Sequence, residues 1–292
     1  MRSVCPVPMP GQGRKEEAVP ALVPILAASL LLAAAAGAIE VTACGETVPA
    51  GETGILQGDL VCSGNSGNVA ITLESNATLD LNGFTLTAPD EDGAAVFCSH
   101  RACTVVSRAA TPGTLSGAST GGFGIYANGS DTPTVRRVVI DNVVIRDVEY
   151  WGVWTPDVRR VTASRVTVSG CQRYGIGAEK LVVQSVVATD NGYGIAGRDG
   201  VRGTDVTVSG NLFFGIDATG GTVRITGLRA SDNGQFGVFA QSVRLVDGQL
   251  AGSGVADVAS TVRRPHLVNT TCETSTNRFS EGTPWGVCAL DP

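Results

Sequence analysis

Short β-branched runs such as Val166-Thr167-Val168 and Val206-Thr207-Val208 alternate along the chain with turn triplets such as Asp190-Asn191-Gly192 and Asp232-Asn233-Gly234. An apolar period of two bounded by Gly, Asn and Asp predicts strands joined by tight turns. A Gly followed by Ile or Val marks the repeat: Gly124-Ile125, Gly152-Val153, Gly175-Ile176, Gly194-Ile195, Gly215-Ile216 and Gly237-Val238, with Asp257-Val258 continuing the series. The steps are 28, 23, 19, 21, 22 and 20 residues. Two residues beyond each Ile or Val stand Ala127, Thr155, Ala178, Gly197, Ala218, Ala240 and Ser260, all small. Both columns share a parity and are expected to point inward. Short strands with a constant period and no helix between them predict a solenoid of stacked parallel sheets. About eight to ten coils of roughly 22 residues fit between Val41 and Arg264.

Asn191-Gly192-Tyr193-Gly194-Ile195 resembles the repeat signature of exported right-handed parallel β-helix proteins of the pectate-lyase-like superfamily, the PbH1-type repeat. Thr78-Leu79-Asp80-Leu81-Asn82-Gly83-Phe84-Thr85-Leu86 is similar to that family's recurrent LDLNGHT coil, with Phe84 where His is usual. The likeness runs from about Cys44 to Cys288. It implies an all-β, single-stranded right-handed parallel β-helix. The superfamily holds lyases, hydrolases, epimerases and adhesins, so the fold leaves the activity open. Lyases of this fold pair Ca²⁺-binding carboxylates with an Arg or Lys base, and hydrolases use two or three close Asp groups. The sequence shows no Asp-Asp pair, no Gly-His-Gly and no stacked acidic column, so no catalytic set is identified. No cofactor is expected, with calcium needed only by a lyase.

The N-terminal stretch changes the setting. Arg2, Arg14 and Lys15 precede an apolar run from Val19 to Ala38 that ends in Ala36-Gly37-Ala38. Residues 1–38 therefore read as a signal peptide cleaved after Ala38, with a retained anchor or a lipid on Cys44 (Val41-Thr42-Ala43-Cys44) as alternatives. The expected location is secreted, cell-surface or periplasmic, with no stable membrane insertion after cleavage. In an oxidising compartment, local pairing predicts disulfides Cys44–Cys62, Cys98–Cys103 and Cys272–Cys288, leaving Cys171 free. No Cys/His spacing suits a metal. Residues 39–75 and 265–292 are expected to cap the solenoid spanning 76–264, since open sheet edges invite pairing. The 38 glycines follow no collagen period, and the net charge of −6 argues against a nucleic-acid partner.

Two columns could carry function. Aromatic residues Phe123, Trp151, Tyr174, Tyr193, Phe214 and Phe236 precede the inward Ile or Val by two positions, while Tyr126, Trp154 and Phe239 follow it by one with outward parity. Stacked rings either knit the coils together or give sugars a platform. The second column is basic: Arg136, Arg159, Arg202, Arg224, Arg244 and Arg263 each follow a Val expected to point inward. Like charges on neighbouring strands destabilise a sheet. Either acidic neighbours such as Asp157, Glu179 and Asp199 offset them or an anionic ligand does. Arg136, Arg159, Arg202, Arg224, Arg244, Tyr126 and Trp154 are thus the expected contacts of a polysaccharide or cell-surface glycan, anionic in character, bound by a monomer. A lyase or epimerase with Arg as base, and a structural or adhesive rod, are the alternatives. The turn column Cys171, Asn191, Asn211, Asn233 and Ser253 is expected to be structural, and Asp90-Glu91-Asp92 to be a solvated loop.

Overall fold

A computed structural model describes residues 37–62, 68–89, 93–117, 122–127, 135–277 and 283–291. The chain divides into two units, Met1–Ala35 and Ala36–Pro292, and the described residues all belong to the second. The apolar N-terminal run as far as Ala36, the loop Asp90-Glu91-Asp92 and Arg2, Arg14 and Lys15 lie outside them.

Every pairing between strands is parallel, and each joins a strand to its counterpart one coil away. Three sheets result, because each coil bends twice between turns. Sheet 1 holds Glu46–Val48, Val69–Leu73, Ala94–Cys98, Phe123–Ala127 and Trp151–Thr155, the first parts of the long strands beginning at Tyr174, Tyr193, Phe214 and Phe236, then Ala256–Ser260 and Ser275–Thr276. Sheet 2 starts with Ala38–Val41, Thr53–Leu56, Ala77–Asp80 and Ala102–Val106, and ends at His266–Val268. Sheet 3 runs from Leu60–Val61 through Gly113–Ser116 to Gln249–Ala251. The coils are about 22 residues apart. The parallel ladder thus extends into both spans expected to be caps.

The inward columns form the core. Ile125, Val153, Ile176, Ile195, Ile216, Val238 and Val258 are all fully buried. The small column beside them is buried too, apart from a half-buried Ala178. The glycine of each Gly-Ile pair has a separate role. A Cβ on Gly194 would meet the Gly215 carbonyl oxygen at 2.6 Å and the Asn211 amide nitrogen at 2.9 Å. Close approach of the next coil therefore excludes a side chain there. Where Asp257 replaces this glycine, at the last full coil, its carboxylate turns back. It accepts from the backbone N–H groups of Ser253, Glu273 and Thr274.

The asparagine column is a buried ladder. The side-chain oxygens of Asn191, Asn211 and Asn233 accept the backbone N–H groups of Cys171, Asn191 and Asn211 at 3.0, 3.1 and 3.4 Å. Their amides donate to the carbonyls of Val168, Ala188 and Val208 at 3.3, 3.1 and 3.2 Å. Buried turn backbone, which water cannot reach, is satisfied in this way. Beside it, Asp147, Gly170, Asp190, Gly210, Asp232 and Gly252 form a second column with φ between 55 and 71°. Asp tolerates that left-handed conformation. The alternating glycines keep the carboxylates two coils apart; a Cβ on Gly210 would lie 2.7 Å from Asp190 Oδ1.

All three expected disulfides are present: Cys44–Cys62, Cys98–Cys103 and Cys272–Cys288. With its sulfur bridged to Cys62, Cys44 has no thiol for a lipid. The first and third bridges close separations of 18 and 16 residues near the two ends, each a constraint worth about 3 kcal/mol in the chain-entropy picture. At the C-terminal end Asp291 accepts the N–H groups of Ser275, Val287 and Cys288, and the Trp285 indole donates to the Ser260 carbonyl at 3.0 Å. Among the described residues no helix is long and apolar enough to cross a membrane.

Cys171 is free and buried. Desolvation pushes its thiol up to about 12, and the thiolate is the reactive form. With a chain of residues 39–292, which lacks Cys5, a thiol reagent at pH 8 is therefore expected to leave the native protein unlabelled and to label one site after denaturation without reductant. Labelling at a free-cysteine rate in the native state would contradict this burial.

Candidate binding surface

The aromatic residues form a continuous belt outside sheet 1. Phe97 stacks on Tyr126 with centroids 5.7 Å apart, Phe123 on Trp151 at 5.0 Å, Trp151 on Trp154 at 5.1 Å and Tyr174 on Tyr193 at 4.7 Å. Beyond Tyr193 its character changes. Phe214, Phe236 and Phe239 are buried and pack with Ala256 and Ala259 into a satellite core. Phe239, expected outward, is covered because its ring lies against Phe214 and Phe236. The belt is therefore structural at its C-terminal end and half-exposed at Phe97, Phe123, Tyr126, Trp151 and Trp154. Arg173 lies over the Trp151 ring, 5.3 Å from its centroid.

Register exposes a gap in this belt. The column Phe97, Tyr126, Trp154 continues through Gly177, Ala196 and Asp217 before reaching Phe239. Where Gly177 and Ala196 supply no large side chain, a hollow of about 280 Å³ opens. Trp154 and Tyr174 wall one side and Asp217 and Thr219 the other, with Asp157, Glu179 and Arg198 at the rim. Arg198 pairs with Glu179 and lies 3.9 Å from Asp199. Asp217 accepts from the backbone N–H and hydroxyl of Thr219, and burial holds its carboxyl above the usual carboxylate range.

The basic residues fall into two rows. Arg202, Arg224 and Arg244 are in direct register, and His266 follows them. Their column continues in the other direction through Val182, Thr162 and Val139, so Arg136 and Arg159 are not part of it. Their preceding valines, Val135 and Val158, are buried as expected. However, they sit in the corner before sheet 2, where Val138 and Val161 take the inward positions. The residues in register on that side are Arg137, Arg160 and, one strand on, Lys180. Val262 is 63% exposed rather than inward, which removes Arg263 from the series. Between the rows lies a second hollow of about 200 Å³, lined by Arg160, Lys180, Asp199, Arg202, Thr222 and Arg224.

A family model described as the right-handed β-helix region matches residues 69–224. The chain belongs to the right-handed β-helix family. No curated protein and no solved structure gives a significant match. In this β-helix protein the matched span covers both hollows up to Arg224, while Arg244 lies beyond it. Among the described residues, no group of three His, Cys, Asp or Glu side chains is disposed to hold a metal ion.

Proposed function

We propose that this protein is exported and binds an anionic polysaccharide across sheet 2, through Arg202, Arg224 and Arg244 together with Arg160 and Lys180 at the edge of the row. One observation carries the reading. Ion pairs among the described residues are Arg108–Asp80, Arg146–Asp147, Arg165–Asp141, Lys180–Asp199 and those of Arg198 with Glu179 and Asp199. None reaches Arg202, Arg224 or Arg244. These three guanidinium groups stand on adjacent strands, ~4.8 Å apart in the sheet direction, and no ion pair among the described residues offsets their repulsion. A row of carboxylate or sulfate groups would offset it through bidentate contacts. The half-exposed part of the aromatic belt, with Tyr126 and Trp154, lies on the adjoining sheet and offers ring-stacking contacts to a chain that continues around the corner.

A linear polyanion neutralised by three to five cations releases its condensed counterions on binding. Its affinity should therefore fall by roughly tenfold to a hundredfold between 50 and 200 mM salt, taking the slope known for single-stranded nucleic acids. Titrating polygalacturonate by calorimetry at those two salt concentrations tests this. An affinity that does not change with salt would sink the proposal.

A further inference from the structure

We propose that the hollow between Trp154 and Asp217 is a separate site for a sugar ring carrying a primary amine. The gap at Gly177 and Ala196 gives a flat, apolar floor, and its volume of about 280 Å³ is at the lower end of small-ligand pockets. That suits one ring with its substituents and is far larger than an inorganic cation needs. Gly177 lets the indole lie close: a Cβ there would stand 3.2 Å from Trp154 Cε3. The walls combine aromatic faces with carboxylates, the pairing that attracts an ammonium group.

Charge decides between ligand classes. Of the three lining carboxylates, Glu179 is satisfied by Arg198. Asp157 and Asp217 have no ion pair among the described residues. An anionic sugar would meet both at close range. A neutral ring would leave the half-buried Asp217 without a countercharge, whereas an ammonium group supplies one. The site does not depend on polyanion binding at the arginine row, which lies on the adjoining sheet.

The test is calorimetry at pH 6 and 150 mM salt with the hexamer of glucosamine, the hexamer of N-acetylglucosamine as neutral isostere, and a linear diamine. The glucosamine hexamer is expected to bind at least tenfold tighter than either control. Asp217→Asn and Trp154→Ala should each weaken it tenfold or more, with circular dichroism unchanged. Asp232→Asn, which removes an equal charge from a residue that does not line the hollow, should leave it intact, as should Arg202→Glu/Arg224→Glu. Equal binding of the acetylated hexamer would overturn amine recognition, and equal binding of the diamine would overturn the ring. Absence of binding, or binding that survives both hollow variants, would overturn the site itself.

Discussion

Asn211→Ala is expected to cost about 3–5 kcal/mol of unfolding free energy. The substitution strips the buried Asn191 N–H of its acceptor and the Ala188 carbonyl of the amide that donates to it. It also removes the link to Asn233 Oδ1 at 2.9 Å. Each buried group left unsatisfied costs about 1–3 kcal/mol, and the vacated volume adds to it. Asn211→Asp keeps an acceptor for Asn191 but loses both donated bonds and buries a charge, so it should be no better. Thr204→Ala, exposed on sheet 2, should stay within about 0.5 kcal/mol. Urea denaturation of the three variants separates these cases. Because stacked coils unfold as coupled neighbours, the loss can also show as a split transition. A shift under about 1 kcal/mol for Asn211→Ala would mean that the ladder does not hold the coils.

Charge reversal in the arginine row has the largest expected effect on binding. Arg202→Glu/Arg224→Glu changes the charge facing the ligand by four units. At about 1 kcal/mol per charge near an anionic surface, polyanion affinity should fall by a hundredfold or more. The single variant Arg224→Glu gives a sharper contrast. It places a carboxylate between Arg202 and Arg244, making cross-strand opposite-charge pairs where like charges stood. Such pairs contribute roughly 0.2–1 kcal/mol. Thermal stability should therefore hold or rise while binding falls. A variant that loses both would point to a row that is structural.

The fold was legible because a solenoid repeats its constraints. Gly194-Ile195 places a carbonyl gap beside a core side chain, and every coil that stacks on it has to match both. Asn191 and Asn211 were legible as turn residues, although only the structure shows each side chain bonding to the coil before it. The register of the arginine row was not legible, for a physical reason. Eight positions separate Val153 from Val161, but only five separate Ile176 from Leu181, while Val153 pairs with Ile176 and Val161 with Leu181. The corner absorbs the extra residues, so the recurring Val-Arg dipeptide slips out of register at Arg136 and Arg159. Thr162 and Val182 stand in the row's register there, while Arg160 and Lys180 fall in the neighbouring column, two residues earlier. The hollow was hidden differently. Its mark in the sequence is an interruption, Gly177 and Ala196 standing where Tyr126 and Trp154 stand in earlier coils. An absence of side chains becomes visible only after the columns are aligned by register.

The central claim is that the outward surface of this β-helix recognises a polysaccharide. Size-exclusion chromatography of the purified protein mixed with polygalacturonate, alginate, a sulfated glycan and neutral glucans tests it most directly. Co-elution with the acidic glycans, lost in Arg202→Glu/Arg224→Glu and absent with the neutral ones, is the predicted result. Co-elution with none of them would contradict the claim and leave a rod whose arginine row has no glycan to meet.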